Sequence, residues 1–260
     1  MKFFIDGNSY FRREEQGGTF SIMIRATNQT IRMNRSSRPL FERTDEWTDL
    51  SSFVRELNVP NVPLKQLERD YAAALFRLHA HGATKIKDFP PSEESGFRKA
   101  EAADYYRLSK FCLDNKNSKY SVAQTLNEAF YDLYATYDRL LNPTSFVIIN
   151  MNCGKIEACA MFSLSKRNFG GLVVNLDTVI FHENLSENDT TKQLLEMLEV
   201  AKMFAKGKAT KIRYEKIHPR QDFLAKQLVE IGFKQTAIFP NELQTGQDLI
   251  LYDCLLRACW

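Results

Sequence analysis

The sequence predicts an α+β protein in which an N-terminal extension is followed by a larger domain. Two observations predict this fold class. Apolar residues recur at helical spacing in some segments and at strand spacing in others, with both kinds of segment on each side of residue 95. A turn-rich stretch with few apolar residues, at 89–96, is typical of a link between domains. We therefore expect residues 1–95 to form an α+β extension of unassigned role and residues 96–260 to form a second domain.

The composition is that of an ordinary folded chain. Of its 260 residues, 44% are hydrophobic and 26% charged, which excludes a disordered or fibrous protein. A net charge of +3 is too small for a general DNA-coating protein, so any contact with nucleic acid would have to be local. The five cysteines form no C-x-x-C pair, which indicates reduced thiols and no metal site. An early charge and the lack of a long apolar window argue against a signal peptide or membrane span and predict a cytoplasmic protein.

Strand and helix patterns alternate within the extension. Residues 2–5 and 19–33 are predicted strands, the second with apolar residues at a period of two. A short helix is predicted over 49–57. A longer one begins at residue 64, and Gly82 provides its stop.

The second domain is predicted to begin with one strand and two helices. The strand covers 97–100, and the first helix follows it with Leu108 and Phe111 on its apolar face. The second helix is predicted over 121–141, with Ser121 as its N-cap and an Asn-Pro dipeptide directly after its end.

Strands dominate the remainder. The tripeptide Asn152-Cys153-Gly154 predicts a tight hairpin, because glycine tolerates a positive φ. A nearly continuous apolar strand, as expected at the centre of a sheet, follows the hairpin. The order from residue 97 is β-α-α-β-β-β-α-β-α-β-β. The predicted strands are 146–151, 155–164, 172–182, 211–217, 233–239 and 249–256, and the predicted helices between them are 190–206 and 220–231.

This order resembles that of the GCN5-related N-acetyltransferase (GNAT) superfamily over about residues 96–257. The segment Phe-Arg-Lys-Ala-Glu-Ala-Ala-Asp at 97–104 looks like the opening strand and helix of that family, and 228–233 is similar to its helix that runs into Gly-Phe. The resemblance implies a GNAT-like fold, with a central mixed, mostly antiparallel sheet flanked by helices. It also implies an acyl-CoA-dependent N-acyltransferase that uses acetyl-CoA or another acyl-CoA. The acceptor would be an amine of a protein, a small molecule or a nucleobase.

The resemblance places the acyl-CoA site at a splayed strand edge and at the start of the helix after that strand. Backbone amides of the edge would pair with the pantetheine arm, and the helix N-terminus would hold the pyrophosphate. The glycine-rich turn of the family is absent from 184–192, where Glu187 and Asp189 would repel a phosphate. The alternative is a helix capped at Asn188 or Asp189 with nothing bound. The implied cofactor-binding residues are Val179, Phe181, Ser186, Thr190, Thr191, Lys192 and His218.

Proton transfer has several candidates. The family often has a tyrosine at the position of Leu228, so Tyr214 is a candidate to supply a phenol instead. Asp177 interrupts the apolar strand on the face opposite Val174, Leu176 and Ile180, and a carboxyl in a central strand is costly unless it is paired or used. Either Asp177 or Glu183, near His182, would be the general base, and a purely structural ion pair of Asp177 is the alternative. A backbone N–H near Val179 would polarise the thioester carbonyl.

An arginine-rich segment of the extension suggests an anionic partner such as nucleic acid, with a solvated loop as the alternative. A second function is open as well, since a protein could keep the GNAT fold, lose the cofactor chemistry and act by binding a partner. The arginines of the segment are Arg25, Arg32, Arg35, Arg38 and Arg43.

Overall fold

The structure is a computed structural model that describes residues 1–89, 95–123, 125–166, 172–218, 221–243 and 246–256. The chain divides into two compact units, Met1–Pro91 and Ser92–Trp260. In the part of the chain that the structure describes, no helix is long and apolar enough to cross a membrane.

The described residues of the first unit form two three-stranded antiparallel sheets, two α-helices and two short 3-10 helices. The sheets have the strand orders β5-β1-β6 and β2-β3-β4, and their inner faces share one core with the helices. Helices are found where the sequence predicts them, and Asp49 caps the first by accepting a hydrogen bond from the backbone N–H of Ser52 at 3.0 Å. The elements are β1 Lys2–Ile5, β2 Tyr10–Glu14, β3 Phe20–Ile24, β4 Thr30–Met33, β5 Thr48–Asp49, α1 Leu50–Leu57, α2 Leu64–Ala80 and β6 Thr84–Lys87.

The single strand predicted over 19–33 is wrong. It is two strands, β3 and β4, which pair as a hairpin. The turn between them includes Asn28 at a φ of +52°, a conformation that asparagine adopts more readily than most residues. The apolar alternation changes phase between the two strands, from Phe20, Ile22 and Ile24 to Ile31 and Met33, across the mostly polar stretch 25–30.

The second unit is built on one seven-stranded sheet of order β12-β13-β11-β10-β9-β8-β7, in which only β10 and β11 are parallel. Helices cover both faces, α3 and α4 on one and α5 and α6 on the other. The predicted fold class, a mixed and mostly antiparallel sheet flanked by helices, is confirmed. The elements are β7 Gly96–Lys99, α3 Tyr105–Asn115, α4 Leu133–Leu141, β8 Ser145–Asn152, β9 Lys155–Lys166, β10 Leu172–Phe181, α5 Glu187–Ala205, β11 Ala209–Lys216, α6 Asp222–Glu230, β12 Lys234–Phe239 and β13 Leu249–Leu255.

The predicted hairpin is confirmed, and an ion pair joins two residues of the opening segment. The hairpin between β8 and β9 turns at Cys153 and Gly154, with φ values of +47° and +77°. Arg98 and Asp104, both in the opening segment that resembles the GNAT family, form a bidentate ion pair at 2.7 and 2.9 Å. This pair ties β7 to the start of α3.

The helix predicted over 121–141 is mostly wrong, because α4 begins only at Leu133. Asp132 is its N-cap and accepts a hydrogen bond from the N–H of Ala135 at 2.7 Å. Ser121 caps no helix, since its hydroxyl bonds to the backbone of β10. The edge of β10 therefore competes for the residues that the apolar periodicity assigns to a helix.

Candidate functional site

The candidate site lies where β10 and β11 separate. The two strands are paired in parallel from Leu172 and Ala209 as far as Leu176 and Tyr214. The last five residues of β10, 177–181, have no partner on β11. The strand edge that the resemblance implies is therefore present in the second half of β10.

A β-bulge marks the point of separation. Leu176 pairs with Phe162 of β9 and Thr178 pairs with Met161, which leaves Asp177 as the extra residue. The bulge reverses the alternation of the strand, so Ile180 packs in the core on the α3 and α4 side. The prediction that Ile180 lies opposite Asp177 is wrong, because the bulge places both on the same side of the sheet.

Asp177 lines a cavity of about 410 Å³ between α4 and the sheet, together with Phe130, Tyr134, Asp138 and Arg139. Burial raises the pKa of its carboxyl to about 6, against the opposing effect of a hydrogen bond to Ser163. A carboxyl with such a pKa is ionised at neutral pH and still basic enough to accept a proton.

Arg139 is the residue of this cavity that the sequence did not single out. Its Nη2 donates to the backbone carbonyl of Phe130 at 3.0 Å, and its guanidinium lies 4.1 Å from the centre of the Phe130 ring. Its charge also favours the ionised form of Asp177. The proximity depends on how α4 packs against the sheet, and no sequence spacing reports such packing.

A segment of residues 118–122, here called the strap, covers the free edge of β10. The N–H of Val122 donates to the carbonyl of Val179 at 2.8 Å, and the N–H of Val179 donates to the carbonyl of Val122 at 2.9 Å. The N–H of Phe181 donates to Ser121 Oγ at 2.9 Å, and Ser118 Oγ donates to the carbonyl of Phe181 at 2.8 Å. The expectation of unpaired amides at Val179 and Phe181 is therefore wrong for this structure, since the chain's own strap satisfies both residues.

The strap also contacts α6 and borders a second cavity. The ring of Tyr120 packs on that of Phe223, with centroids 4.8 Å apart. The cavity, of about 560 Å³, lies between the strap and the segment after β11, where His218 and Gln221 line it. His218 thus borders this second cavity, and its backbone N–H donates to the side chain of Gln221.

The start of α5 is capped by its own side chains. Ser186 is the N-cap, accepting from the N–H of Asp189 at 3.2 Å and donating to the Asp189 carboxylate at 2.6 Å. The predicted start near Thr190 and the caps at Asn188 or Asp189 are therefore wrong. Glu187 and Asp189 lie in the first turn, where negative charge complements the helix dipole.

The hydroxyls expected to hold a phosphate are engaged elsewhere. Thr190 is fully buried, and both Thr190 and Thr191 donate to the carbonyl of Glu187, at 2.7 and 3.1 Å. The side-chain amide of Gln227 donates to both threonine hydroxyls. Of the predicted group at this helix start, Lys192 is the one exposed cation. The pyrophosphate site that the resemblance implies at these hydroxyls is therefore not preformed.

The remaining proton-transfer candidates lie away from the Asp177 cavity. Glu183 is exposed beyond the end of β10, and its backbone N–H donates to Asn115. His182 accepts a hydrogen bond at Nδ1 from the N–H of Asn184. Tyr214 is 2% exposed in the core on the α5 and α6 side, and burial raises the pKa of its phenol. Of the three predicted catalytic residues, the structure places Asp177 alone on that cavity.

The arginines predicted to bind an anionic partner do not act as one cluster. Arg38 forms an ion pair with Glu14 at 2.9 Å. Arg43 forms ion pairs with Glu46 and Glu56 at 3.5 and 2.5 Å. The other three keep their charge unpaired by any carboxylate among the described residues: Arg25 over the ring of Phe11, Arg32 on the hydroxyl of Thr19, and Arg35 with its stem over Gly18.

Comparisons with known proteins find similarity in structure and none in sequence families. No protein-family model matches the sequence, and no curated protein matches it. Similar solved structures include the ribosomal-protein-S5-alanine acetyltransferase of Vibrio fischeri, at 17% identity and a TM-score of 0.48 over 64% of this chain and 96% of that one. A GNAT-family acetyltransferase from Streptococcus pneumoniae matches at 13% and 0.47 over 63% and 100%, and yncA from Salmonella typhimurium, solved with its cofactor acetyl-CoA, at 18% and 0.47 over 64% and 96%. At these scores an activity has to be argued from the residues of the site.

Proposed function

We propose that this chain is an acyl-CoA-dependent N-acyltransferase with Asp177 as its general base. The observation that carries the proposal is the position of Asp177, in the bulge where β10 leaves β11, on a cavity of about 410 Å³. A carboxylate at this point can meet an amine that enters from the α4 side. Burial keeps its pKa near 6, which suits proton transfer at neutral pH.

The proposed reaction is a direct transfer of the acyl group from the thioester to the amine. Asp177 takes one proton from the acceptor ammonium. The freed amine forms a bond to the thioester carbonyl carbon, the C–S bond breaks, and the second amine proton is transferred to the departing thiolate. The acceptor would be an amine of a protein, a small molecule or a nucleobase that reaches the cavity between α4 and β10.

An acyl-CoA does not fit along β10 while the strap is in place. The N–H of Val179, proposed to polarise the thioester carbonyl, is bonded to Val122, and Phe181 is bonded to Ser118 and Ser121. The proposal therefore requires that the strap leaves this edge, after which the same backbone groups can pair with the amides of a pantetheine arm. The cavity of about 560 Å³ beside the strap lies next to this edge.

The experiment that tests the proposal follows thiol release from acetyl-CoA by the full-length chain over a panel of amines. We expect amine-dependent release, and we expect acetyl-CoA to raise the melting temperature, since a ligand that binds only the folded state stabilises it. The proposal would be contradicted if millimolar acetyl-CoA produced no heat in a calorimetric titration and no shift in the melting temperature.

A second candidate function is supported by the strap itself. A protein that has kept this fold and lost its cofactor would fill the free edge of β10 permanently and cap α5 with its own side chains, as Ser186 and Asp189 do. This candidate predicts that variants which loosen the strap gain no affinity for acetyl-CoA. The acyltransferase proposal predicts that such variants bind acetyl-CoA more tightly.

A further inference from the structure

One face of the sheet formed by β2, β3 and β4 is open to solvent. On the central strand β3, Phe20, Ile22 and Ile24 are buried, so Ser21 and Met23 lie on the opposite face. β4 shows the same alternation of exposed and buried positions, whereas residues 11–14 of β2 are exposed on both faces, and the register assigns them to one side or the other. The outward positions, here called the arginine face, are Phe11, Arg13, Ser21, Met23, Thr30 and Arg32.

The register brings these side chains into two rows across the strands. Arg13 pairs with Ser21, which pairs with Arg32, and the second row is Phe11, Met23 and Thr30. Neighbouring strands lie about 4.8 Å apart, so the two arginines are roughly 10 Å apart at their Cα atoms. Phe11 is 51% exposed and Met23 is 39% exposed, so two paired apolar side chains lie in solvent beside the arginines.

A third arginine completes the face. The guanidinium of Arg25 lies 3.9 Å from the centre of the Phe11 ring, so ring and cation are stacked. None of the six outward positions is Asp or Glu. Glu14, at the end of β2, lies on the other side of the strand and pairs with Arg12 and Arg38.

We propose that the arginine face binds single-stranded nucleic acid. Arginine suits bidentate contacts with phosphate, and Arg13, Arg25 and Arg32 surround an exposed apolar patch. Unstacked bases bind by stacking on aromatic rings and on guanidinium planes, and Phe11 with Arg25 offers both. A duplex keeps its bases stacked inside and would leave Phe11 and Met23 uncovered. The face is therefore shaped for a single strand.

The arginines of the proposed nucleic-acid site differ from the set predicted from the sequence. Arg38 and Arg43 belong to the sequence cluster but are paired with carboxylates. Arg13 lies outside that cluster, and the sheet register places it opposite Ser21 and in line with Arg32. The proposal does not depend on the acyltransferase function, since it rests on residues of the first unit alone.

The other sheet of the same unit provides a matched control. Lys85 and Lys87 are exposed on β6, with the ammonium of Lys87 3.9 Å from the centre of the Trp47 ring. In this sheet Asp49 pairs with Lys2 in the register, so a carboxylate lies among the cations, unlike on the arginine face. Replacing Lys85 and Lys87 removes as much charge as replacing Arg13 and Arg32, at a different face.

The test measures fluorescence anisotropy of a fluorescein-labelled oligothymidylate with the full chain over a series of salt concentrations. We expect binding that Phe11→Ala weakens roughly 5- to 150-fold, from the loss of one stacked base. The double variant Arg13→Ala with Arg32→Ala should reduce the slope of log affinity against log salt by about 1.4, for two lost phosphate contacts. Lys85→Ala with Lys87→Ala should leave affinity and slope close to those of the wild type.

Four outcomes would overturn the proposal. They are no binding at the lowest salt, equal losses in the two double variants, a duplex that binds as tightly as the single strand, and tighter binding to phosphatidylserine vesicles than to the oligonucleotide. Because Phe11 is half exposed, Phe11→Leu should fold normally and still lose the stacking contribution. Unchanged melting temperatures of all variants will show that losses are not due to unfolding.

Discussion

The two halves of β10 differ in what pairs with their outer edge. Residues Leu172–Leu176 are paired with β11 as a regular parallel ladder. Residues 177–181 have lost that neighbour, and the strap pairs with them through a few hydrogen bonds. Because buried backbone groups must be paired, the second half has to be covered by the chain itself or by a ligand. The first half of β10 is permanently paired with β11. In the second half, a ligand could replace the strap as the partner of the strand.

The proposed function requires displacement of the strap, which is held both by hydrogen bonds and by the packing of Val122 in the core and of Tyr120 on Phe223. Five hydrogen bonds join the strap to Val179 and Phe181, and each contributes about 1 kcal/mol net. An acyl-CoA that makes the same bonds would offset this loss, and its affinity would be reduced by the fraction of molecules in which the strap is closed. The account therefore links cofactor affinity to the strength of the strap.

The largest expected effect comes from the residue at the boundary between the two halves. Asp177→Asn keeps the size of the side chain and removes its basicity, so we expect turnover to fall by about 10²- to 10⁴-fold, the usual contribution of a general base. Affinity for acetyl-CoA should change little. Thiol-release kinetics and calorimetry measure the two quantities.

Glu183→Gln is the matched comparison, because Glu183 is the other carboxyl predicted from sequence and lies outside the cavity. It should retain turnover near that of the wild type. Equal losses in both variants would remove Asp177 from its assigned role.

Asp177→Asn should also stabilise the folded protein. The pKa of Asp177 is raised from about 3.8 to about 6, so the folded state binds more protons than the unfolded state between these values. Its ionisation lowers stability as pH rises through that window. Asp177→Asn should then be more stable than the wild type at pH 7, by at most about 3 kcal/mol, and the difference should vanish below pH ~4. Urea unfolding at the two pH values measures it, and a less stable variant at pH 7 would contradict the burial of this charge.

The pH dependence of kcat/KM provides a third test of the role of Asp177. Because the base acts as a carboxylate, kcat/KM should rise about tenfold per pH unit below the pKa of about 6 and level off above it. A limb that instead stays flat between pH ~5 and 7 would show that Asp177 takes no proton in the rate-determining step.

The smallest expected effect concerns the strap. Ser121→Ala removes the hydroxyl that accepts from the N–H of Phe181, so the strap should open more often and acetyl-CoA should bind about fivefold more tightly, for one bond of about 1 kcal/mol. Thr125→Ala is the control, since Thr125 lines the same cavity but bonds to Asn127 and not to β10. Equal affinities in the Ser121 variant and the wild type would favour the partner-binding alternative.

The order of elements could be predicted from the sequence because most helices and strands carry a long, consistent period. The region 121–141 could not, since its apolar spacing and Ser121 imitate a capped helix while the free edge of β10 takes the same residues into a strand-like bridge. A competition between distant segments leaves no trace in local periodicity.

The site shows the same limit. Asp177 was recognisable as a charge in an apolar strand, but the bulge that turns Ile180 to its side depends on the register with β9. Arg139 and Arg13 acquire their places from packing and from sheet register, which one sequence does not encode locally. Side chains near in space and far apart in sequence are therefore found only in the fold.

Hydrogen exchange of two amides tests the displacement of the strap most directly. In the free protein the N–H groups of Val122 and Val179 bond to each other's residue across the free edge, so both should be protected. With saturating acetyl-CoA, the account predicts that Val122 loses its protection while Val179 keeps it, because a pantetheine arm replaces the strap on β10. Protection of Val122 that is unchanged at acetyl-CoA concentrations where binding is complete would contradict the account.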